Sequence, residues 1–485
     1  MSILRRTPVL LMLSVAACTT VGPDYTAPAT AVAEGWLETS ASGPIDPRWW
    51  DHFGDPMLVE LIEAGVRNSP DIAETSARLR EARADRDAAQ GRRLPEVNAA
   101  GSAKQNRISE NGQLPLASIP GFDPTYSLFD VGFDANWEID FWGRQVRTVE
   151  AATARSQAAE AARRAVIVSL TGEIARNYID LRAAQADIAS AEQDSASNEE
   201  IARLTDLRAR AGESSPMESR EVRARASASE QAVPAARARA ADAAYRIAIL
   251  IGAAPETVVP GLLTEAPIPR APETILVGIR SDLLARRPDV RQAERELAAS
   301  TADIGVATAD LFPRFSLFGS IGQQARALDD LVSGSSLRYS IGPSISWPIF
   351  SGGRIRAQIR AADARADAAA ARYEKAVLTA LNDSESAVNS FLNASRTHNA
   401  AIAEVEQQSR AFDHYQSRFT AGEDNRIQLE TARQRLIAAQ ERLATARAQE
   451  SRAAAILYKQ LGGAWTVIDI DKAPKSLSQA ENRGD

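Results

Sequence analysis

Residues Arg354 to Ala421 run for 68 positions without a proline or a glycine. Their counterpart, Arg144 to Ala211, has no proline and one glycine, Gly172. Alanine, arginine, glutamate and glutamine, all strong helix formers, fill both stretches. At about 1.5 Å of rise per residue, each predicts a rod of roughly 100 Å. No globular domain of this size encloses such a rod, so these helices pack side by side as a coiled coil or helical barrel. Alanine at the contacts lets helices approach closely. Ile167, Leu170, Ile174, Tyr178 and Leu181, spaced by three and four, supply one apolar seam.

The rods belong to an internal repeat. Gly143-Arg144 recurs as Gly353-Arg354, Ala211-Gly212-Glu213 as Ala421-Gly422-Glu423, and Ile251-Gly252 as Leu461-Gly462, all at an offset of 210. Earlier, Ser69-Pro70-Asp71 recurs as Arg287-Pro288-Asp289 and Leu94-Pro95 as Phe312-Pro313, at an offset of 218. The first copy therefore holds a longer loop. The expected organisation is a leader over residues 1–17, an N-terminal segment over 18–56, repeat 1 over 57–254, a linker over 255–279, repeat 2 over 280–464 and a tail over 465–485. Each repeat opens with a helical stretch (57–92 and 280–309). Two strands follow (about 97–105 and 127–141; about 314–323 and 337–350), then a long helix hairpin (144–252 and 354–462). Pro234 is expected to kink the first return helix. Ser214 and Asn425 are candidate caps of the two return helices.

The extended segments have a period of two. From Phe129 to Phe141 the odd positions read Phe, Val, Phe, Ala, Trp, Ile, Phe, while the even positions from Asp130 read Asp, Gly, Asp, Asn, Glu, Asp. In the second copy Leu337, Tyr339, Ile341, Pro343, Ile345, Trp347 and Ile349 alternate with Arg338, Ser340, Gly342, Ser344 and Ser346. Such strands have one apolar face and one wet face. A soluble sandwich would alternate too. Against it stand the acidic polar face and Trp137, Trp142 and Trp347 at the strand ends, which suit the aromatic girdle of a membrane barrel. Four strands cannot close such a barrel, because the smallest use about eight. Open edges cannot face lipid. The pattern therefore predicts an oligomer, and three chains would supply twelve strands. Asp130, Asp134, Glu138 and Asp140 are then expected to line a cation-friendly lumen.

The chain's address is at its start. Arg5 and Arg6 precede the short apolar run Val9 to Val15, which is too short to span a bilayer and has the form of a secretory signal. Cys18, the only cysteine, follows Val15-Ala16-Ala17 as in the lipobox of bacterial lipoproteins, where cleavage precedes an acylated cysteine. Several acyl chains on one residue would give stable anchoring. A single cysteine excludes an internal disulfide framework, and a formal charge of −7 gives no reason to expect nucleic acid. His52, His398 and His414 are widely spaced, and no phosphate loop, dinucleotide fingerprint or nucleophile triad is present. Neither an enzyme nor a cofactor or metal site is expected.

Three stretches carry a family resemblance: Val21-Gly22-Pro23-Asp24-Tyr25; Trp49-Trp50-Asp51-His52-Phe53-Gly54-Asp55-Pro56; and Asp282-Leu283-Leu284-Ala285-Arg286-Arg287-Pro288-Asp289-Val290, continued by Ala293-Glu294-Arg295, Ile304-Gly305 and Leu311-Phe312-Pro313. From Cys18 to about Trp465 the chain resembles a TolC-like outer-membrane factor of the NodT lipoprotein subgroup. The resemblance implies a homotrimer whose twelve-stranded outer-membrane barrel continues as a twelve-helix periplasmic tunnel. It implies cargo received from an inner-membrane pump of the RND type through a periplasmic adaptor, with small molecules such as drugs as substrates. It also implies that the hairpin turns close the tunnel and dock the adaptor. Gly212, Glu213 and Gly422 are the expected docking turns. Asp413, Arg418, Glu423 and Asp424 are expected at the gate, against the plainer alternative of a solvated helix end. Arg287, Pro288 and Asp289 are expected to start a helix. Two other functions share these features: a lipid-anchored coiled-coil tether without a pore, and a protein-secretion duct.

Overall fold

The structure is a computed structural model that describes residues 20–28, 35–38, 43–109, 124–463 and 465. The leader, Cys18, most of the long loop of the first repeat and the tail after Trp465 lie outside the described residues. The chain divides into two compact units, one of Met1–Pro28, Arg80–Ala158 and Ala293–Arg372, the other of Ala29–Leu79, Ala159–Gln292 and Tyr373–Asp485.

The first unit holds a four-stranded antiparallel sheet, β1 (Glu96–Arg107), β2 (Thr125–Ile139), β3 (Arg314–Ala325) and β4 (Leu337–Ser346), paired in chain order. The strands are 10 to 15 residues long, enough for a tilted membrane strand, which needs about 9–11. Asp130 stands opposite Ser102 on one side and Gln324 on the other, and Gly322 opposite Gly132 and Arg338. Even-numbered residues of all four strands therefore share one face and odd-numbered residues the other. β4 ends at Ser346 instead of Phe350, because Pro348 cannot donate to a ladder. β2 ends at Ile139, and the chain turns through Gly143 (φ 75°) into the first rod.

The N-terminal segment docks on this unit. Val21 N–H donates to the Trp142 carbonyl, and the buried Arg147 guanidinium donates to the Val21 carbonyl and pairs with Asp24 at 2.6 Å. Gly22 (φ 88°) packs so tightly on Gly305 that any side chain there would strike its backbone. Tyr25 donates to Glu294 at 2.6 Å, and Arg295 lies over the Tyr25 ring. Two motif stretches far apart in sequence thus touch one another.

Helices α1 (Pro56–Asn68), α2 (Pro70–Gly91), α3 (Arg144–Arg210), α4 (Pro216–Ser229), α5 (Ala232–Leu250), α6 (Pro255–Leu262), α7 (Arg280–Arg286), α8 (Pro288–Ala309), α9 (Arg354–Thr420) and α10 (Arg426–Gln460) complete the chain. The rods α3 and α9 have 67 residues each. The expected helical stretches 57–92 and 280–309 are each two helices. A residue before proline is held out of the α region, and Ser69 (ψ 128°) and Arg287 (ψ 118°) are extended before Pro70 and Pro288. The first return helix breaks at Glu230–Gln231, not at Pro234 itself. The proline lacks the N–H that would bond the carbonyl four residues back, so the interruption falls upstream.

The second unit is built around one apolar core. Trp49, Trp50, Phe53, Leu58 and Ile62 pack with Ile174, Tyr178, Leu181, Ile247 and Leu457. All five residues of the α3 seam, Ile167, Leu170, Ile174, Tyr178 and Leu181, are buried. Trp49 stacks on Tyr458 at 5.2 Å, and Asp55 caps α1 while accepting the Tyr178 hydroxyl. Burial pushes both tyrosine hydroxyls up to about 12. Arg287 is a buried anchor as well as the residue before α8. It forms a two-point pair with Asp289 and donates to the carbonyls of Ala380 on α9 and Gln460 on α10.

Candidate functional site

The sheet presents two chemically opposite faces. The odd-numbered face carries Val97, Val131, Phe133, Ile321, Leu337, Tyr339, Ile341 and Ile345, all exposed; Phe133 is 58% accessible, Ile341 75% and Tyr339 77%. In water that surface would be a large unfavourable apolar patch. The even-numbered face carries Asp130, Asp134, Asn136 and Glu138 on β2, Ser316 and Ser320 on β3, and Arg338, Ser340 and Ser344 on β4. β1 and β4 are its edges.

The carboxylates on the polar face are held differently. Asp130 takes a two-point bond from Arg338 (2.6 and 2.9 Å) and accepts from Gln324 at 2.7 Å. Glu138 faces Arg144 at 3.5 Å, which also approaches Asp310 at 3.6 Å. Asp134 stands opposite Ser320, which in turn faces Ser340. Asp140 departs from the expectation. It follows the last residue of β2, and its carboxylate accepts the backbone N–H groups of Gln145 and Val146. It thus satisfies orphan donors in the first turn of α3, where negative charge is also favoured. Its even number extended the alternation by coincidence.

The three tryptophans each donate an indole N–H to a backbone carbonyl: Trp137 to Arg93, Trp142 to Pro313 and Trp347 to Leu311. The acceptors lie just before β1 and β3, and the donors at or beyond the ends of β2 and β4. All three therefore gather at one end of the sheet. Trp142 also stacks on Phe312 at 4.7 Å.

The hairpin turns share one geometry. Gly212 and Gly422 both adopt φ 76°; Glu213 N–H returns to the Arg208 carbonyl and Glu423 N–H to that of Arg418, each at 2.9 Å. This is the left-handed glycine cap that ends a helix. Asn425 caps α10 in a reciprocal box with Gln428, whereas α4 is capped by Ser215 instead of Ser214. Ser215 is the residue that the 210 offset aligns with Asn425.

At the second turn, Arg418 donates one hydrogen bond to Asp424 Oδ1 at 3.0 Å, its Nε lies 3.0 Å from Oδ2 in an ion pair, and it is 3.8 Å from Glu423. The Asp424 side chain is only 4% accessible, while that of Arg418 is 58% accessible. Asp413 is exposed on α9 and takes no part in this cluster. In the first turn Arg208 and Glu213 occupy the matching positions at 3.9 Å, but Ser214 replaces the aspartate. A further carboxylate that the sequence did not single out is Glu430, buried on α10 between Arg426 (2.9 Å) and Arg433 (3.7 Å) and accepting the Ser197 hydroxyl of α3. Its helical spacing from both arginines was the available signal. Among the described residues no group of acidic, histidine or cysteine side chains could hold a metal ion, and no helix is long and apolar enough to cross a membrane.

Comparisons agree with this architecture. Residues 61–253 and 279–463 match the family described as outer membrane efflux protein. The pyoverdine export outer membrane protein OpmQ of Pseudomonas aeruginosa is 33% identical over 464 residues, covering 93% of this chain and 96% of its own length. Nodulation protein T of Rhizobium leguminosarum bv. viciae is 29% identical, covering 88% and 86%. The solved structure of the outer-membrane channel OprN superposes with a TM-score of 0.82 at 35% identity, over 92% of this chain and 99% of that one.

Proposed function

We propose how this chain, which belongs to the outer membrane efflux protein family, builds the exit duct of an efflux system in the outer membrane: three copies close a single twelve-stranded barrel. The observation that carries this is the sheet, with an exposed apolar face, a polar face behind it and an edge on each side. Bilayer hydrocarbon offers no partner to an edge, so β4 of one copy pairs with β1 of the next until the ring closes. The apolar face then meets lipid and the polar face lines water.

The hairpins α3–α4–α5 and α9–α10 of the three copies form the periplasmic helical tunnel. Their turns, at Gly212 and Glu213 and at Gly422, dock a periplasmic adaptor, which couples the duct to an inner-membrane pump of the RND type. Arg418, Glu423 and Asp424, with Asp413 nearby on α9, ring the entrance three times over. Asp130, Asp134 and Glu138 face the barrel lumen, and Trp137, Trp142 and Trp347 mark the periplasmic edge of the bilayer. Cys18, once acylated, ties each chain to outer-membrane lipid. Similarity to a pyoverdine exporter supports a small organic cargo, which the pump selects.

Purified protein reconstituted in planar bilayers tests the duct. Discrete channel steps are expected. No conductance, even with the tip charges removed, would leave the lipid-anchored tether as the better account.

A further inference from the structure

We propose that Arg338 sets the ion selectivity of the barrel by cancelling the charge of Asp130 across the wet face of the sheet. This rests on the duct reading above, which turns that face inward. The two residues are on strands that do not touch: Asp130 on β2 and Arg338 on β4, with β3 between them. The row that Arg338 belongs to runs through Gly322 on β3 to Gly132 on β2. Neither glycine projects a side chain into the path. An added Cβ on Gly322 would meet the Val131 carbonyl oxygen at 2.5 Å, and one on Gly132 the Ile321 oxygen at 2.6 Å, so neither position has room for one. The arginine side chain therefore lies across bare backbone and closes a two-point bond on Asp130 at 2.6 and 2.9 Å, with Gln324 holding the same carboxylate.

The geometry changes the charge of the lumen at this level. Alternation along β2 alone presents Asp130 and Asp134 as an acidic stripe. With Arg338 bonded to Asp130 and one row from Asp134, and Lys104 one row beyond Asp130 on the side away from Asp134, the carboxylates here are matched by cations. Threefold symmetry repeats the arrangement around the axis. Fixed charges along a channel wall concentrate counter-ions, so removing one sign should shift permeability severalfold.

Reversal potentials under a KCl gradient test this with the full-length protein in planar bilayers. Arg338→Gln should move selectivity severalfold toward cations, and Asp130→Asn toward anions. The exchanged pair Asp130→Arg with Arg338→Asp should return close to the parent value, which also guards against a single variant that fails to assemble. Both shifts should shrink at high salt, as the screening length falls from roughly 10 Å at 0.1 M to roughly 3 Å at 1 M. Channels that conduct with an unchanged reversal potential in both single variants would overturn this inference and leave the duct intact. The absence of conductance in every protein, the parent included, would overturn the duct and this inference with it.

Discussion

At the residue scale, the second hairpin turn concentrates its chemistry in one pair. Exposed ion pairs contribute only about 0.2–1 kcal/mol. Asp424 differs because its side chain is nearly inaccessible, so loss of Arg418 leaves a desolvated carboxylate without its partner. The first turn lacks this carboxylate, since Ser214 stands in its place. Two nearly identical backbones therefore carry different charges, and the buried carboxylate with its arginine belongs to the second. Asp424→Ala or Arg418→Ala should raise the conductance of the closed trimer; equal conductance in both variants and the parent would remove the pair from the gate. Tyr178 and Tyr458 make a separate prediction. Burial raises both hydroxyls from the ordinary 10.0 to about 12. A raised folded-state value means the associated stability is fully present below about 10 and is lost as pH climbs through about 12. Thermal unfolding should accordingly show a fall confined to that alkaline window, reduced in Tyr178→Phe. An identical alkaline profile in Tyr178→Phe would assign the fall to other groups.

At the scale of elements, the strand faces can be separated by substitution. Phe133→Arg places a charge on the exposed apolar face, where a mid-bilayer arginine costs about 2–4 kcal/mol. Ser320→Arg, on the opposite face, meets water. Trimer recovered from outer membranes should drop for Phe133→Arg and stay near the parent level for Ser320→Arg; equal recovery would mean that the odd-numbered face does not meet lipid. The two faces were readable from β2 because a period of two needs no knowledge of neighbours. The Asp130–Arg338 bond was not, because it depends on the register of two strands with a third between them. Asp140 was misread for a related reason: its even number continued the alternation past the point where the strand ends, and only the turn into α3 reveals the cap. The helix start at Arg287-Pro288 was legible from the proline, whereas the matching break at Ser69, marked in the same way by Pro70, was passed over. Ser215 was recoverable from the repeat, since the offset that aligns the two turns also aligns it with Asn425.

At the scale of the whole molecule, one chain is an incomplete object. Among the described residues its sheet has an uncovered apolar face and an open edge on each side, while its N-terminal segment and central motif are already satisfied by one another through Arg147, Tyr25 and Gly305. In the proposed barrel, copies of the same chain finish what is unfinished here, and closure limits their number. The length of the rods and the strand count could be read from residue patterns alone. The proposed closing contact could not, because it would lie between chains. Edge-to-edge cysteine cross-linking tests it most directly. With Cys18 replaced, Ala99→Cys in β1 is combined in turn with Tyr339→Cys, Ile341→Cys or Ile345→Cys in β4, and the protein is oxidised in native membranes. At least one combination should give a reducible species of three chains and nothing larger. Monomers in every combination, or a ladder continuing past three, would contradict a barrel closed by three copies.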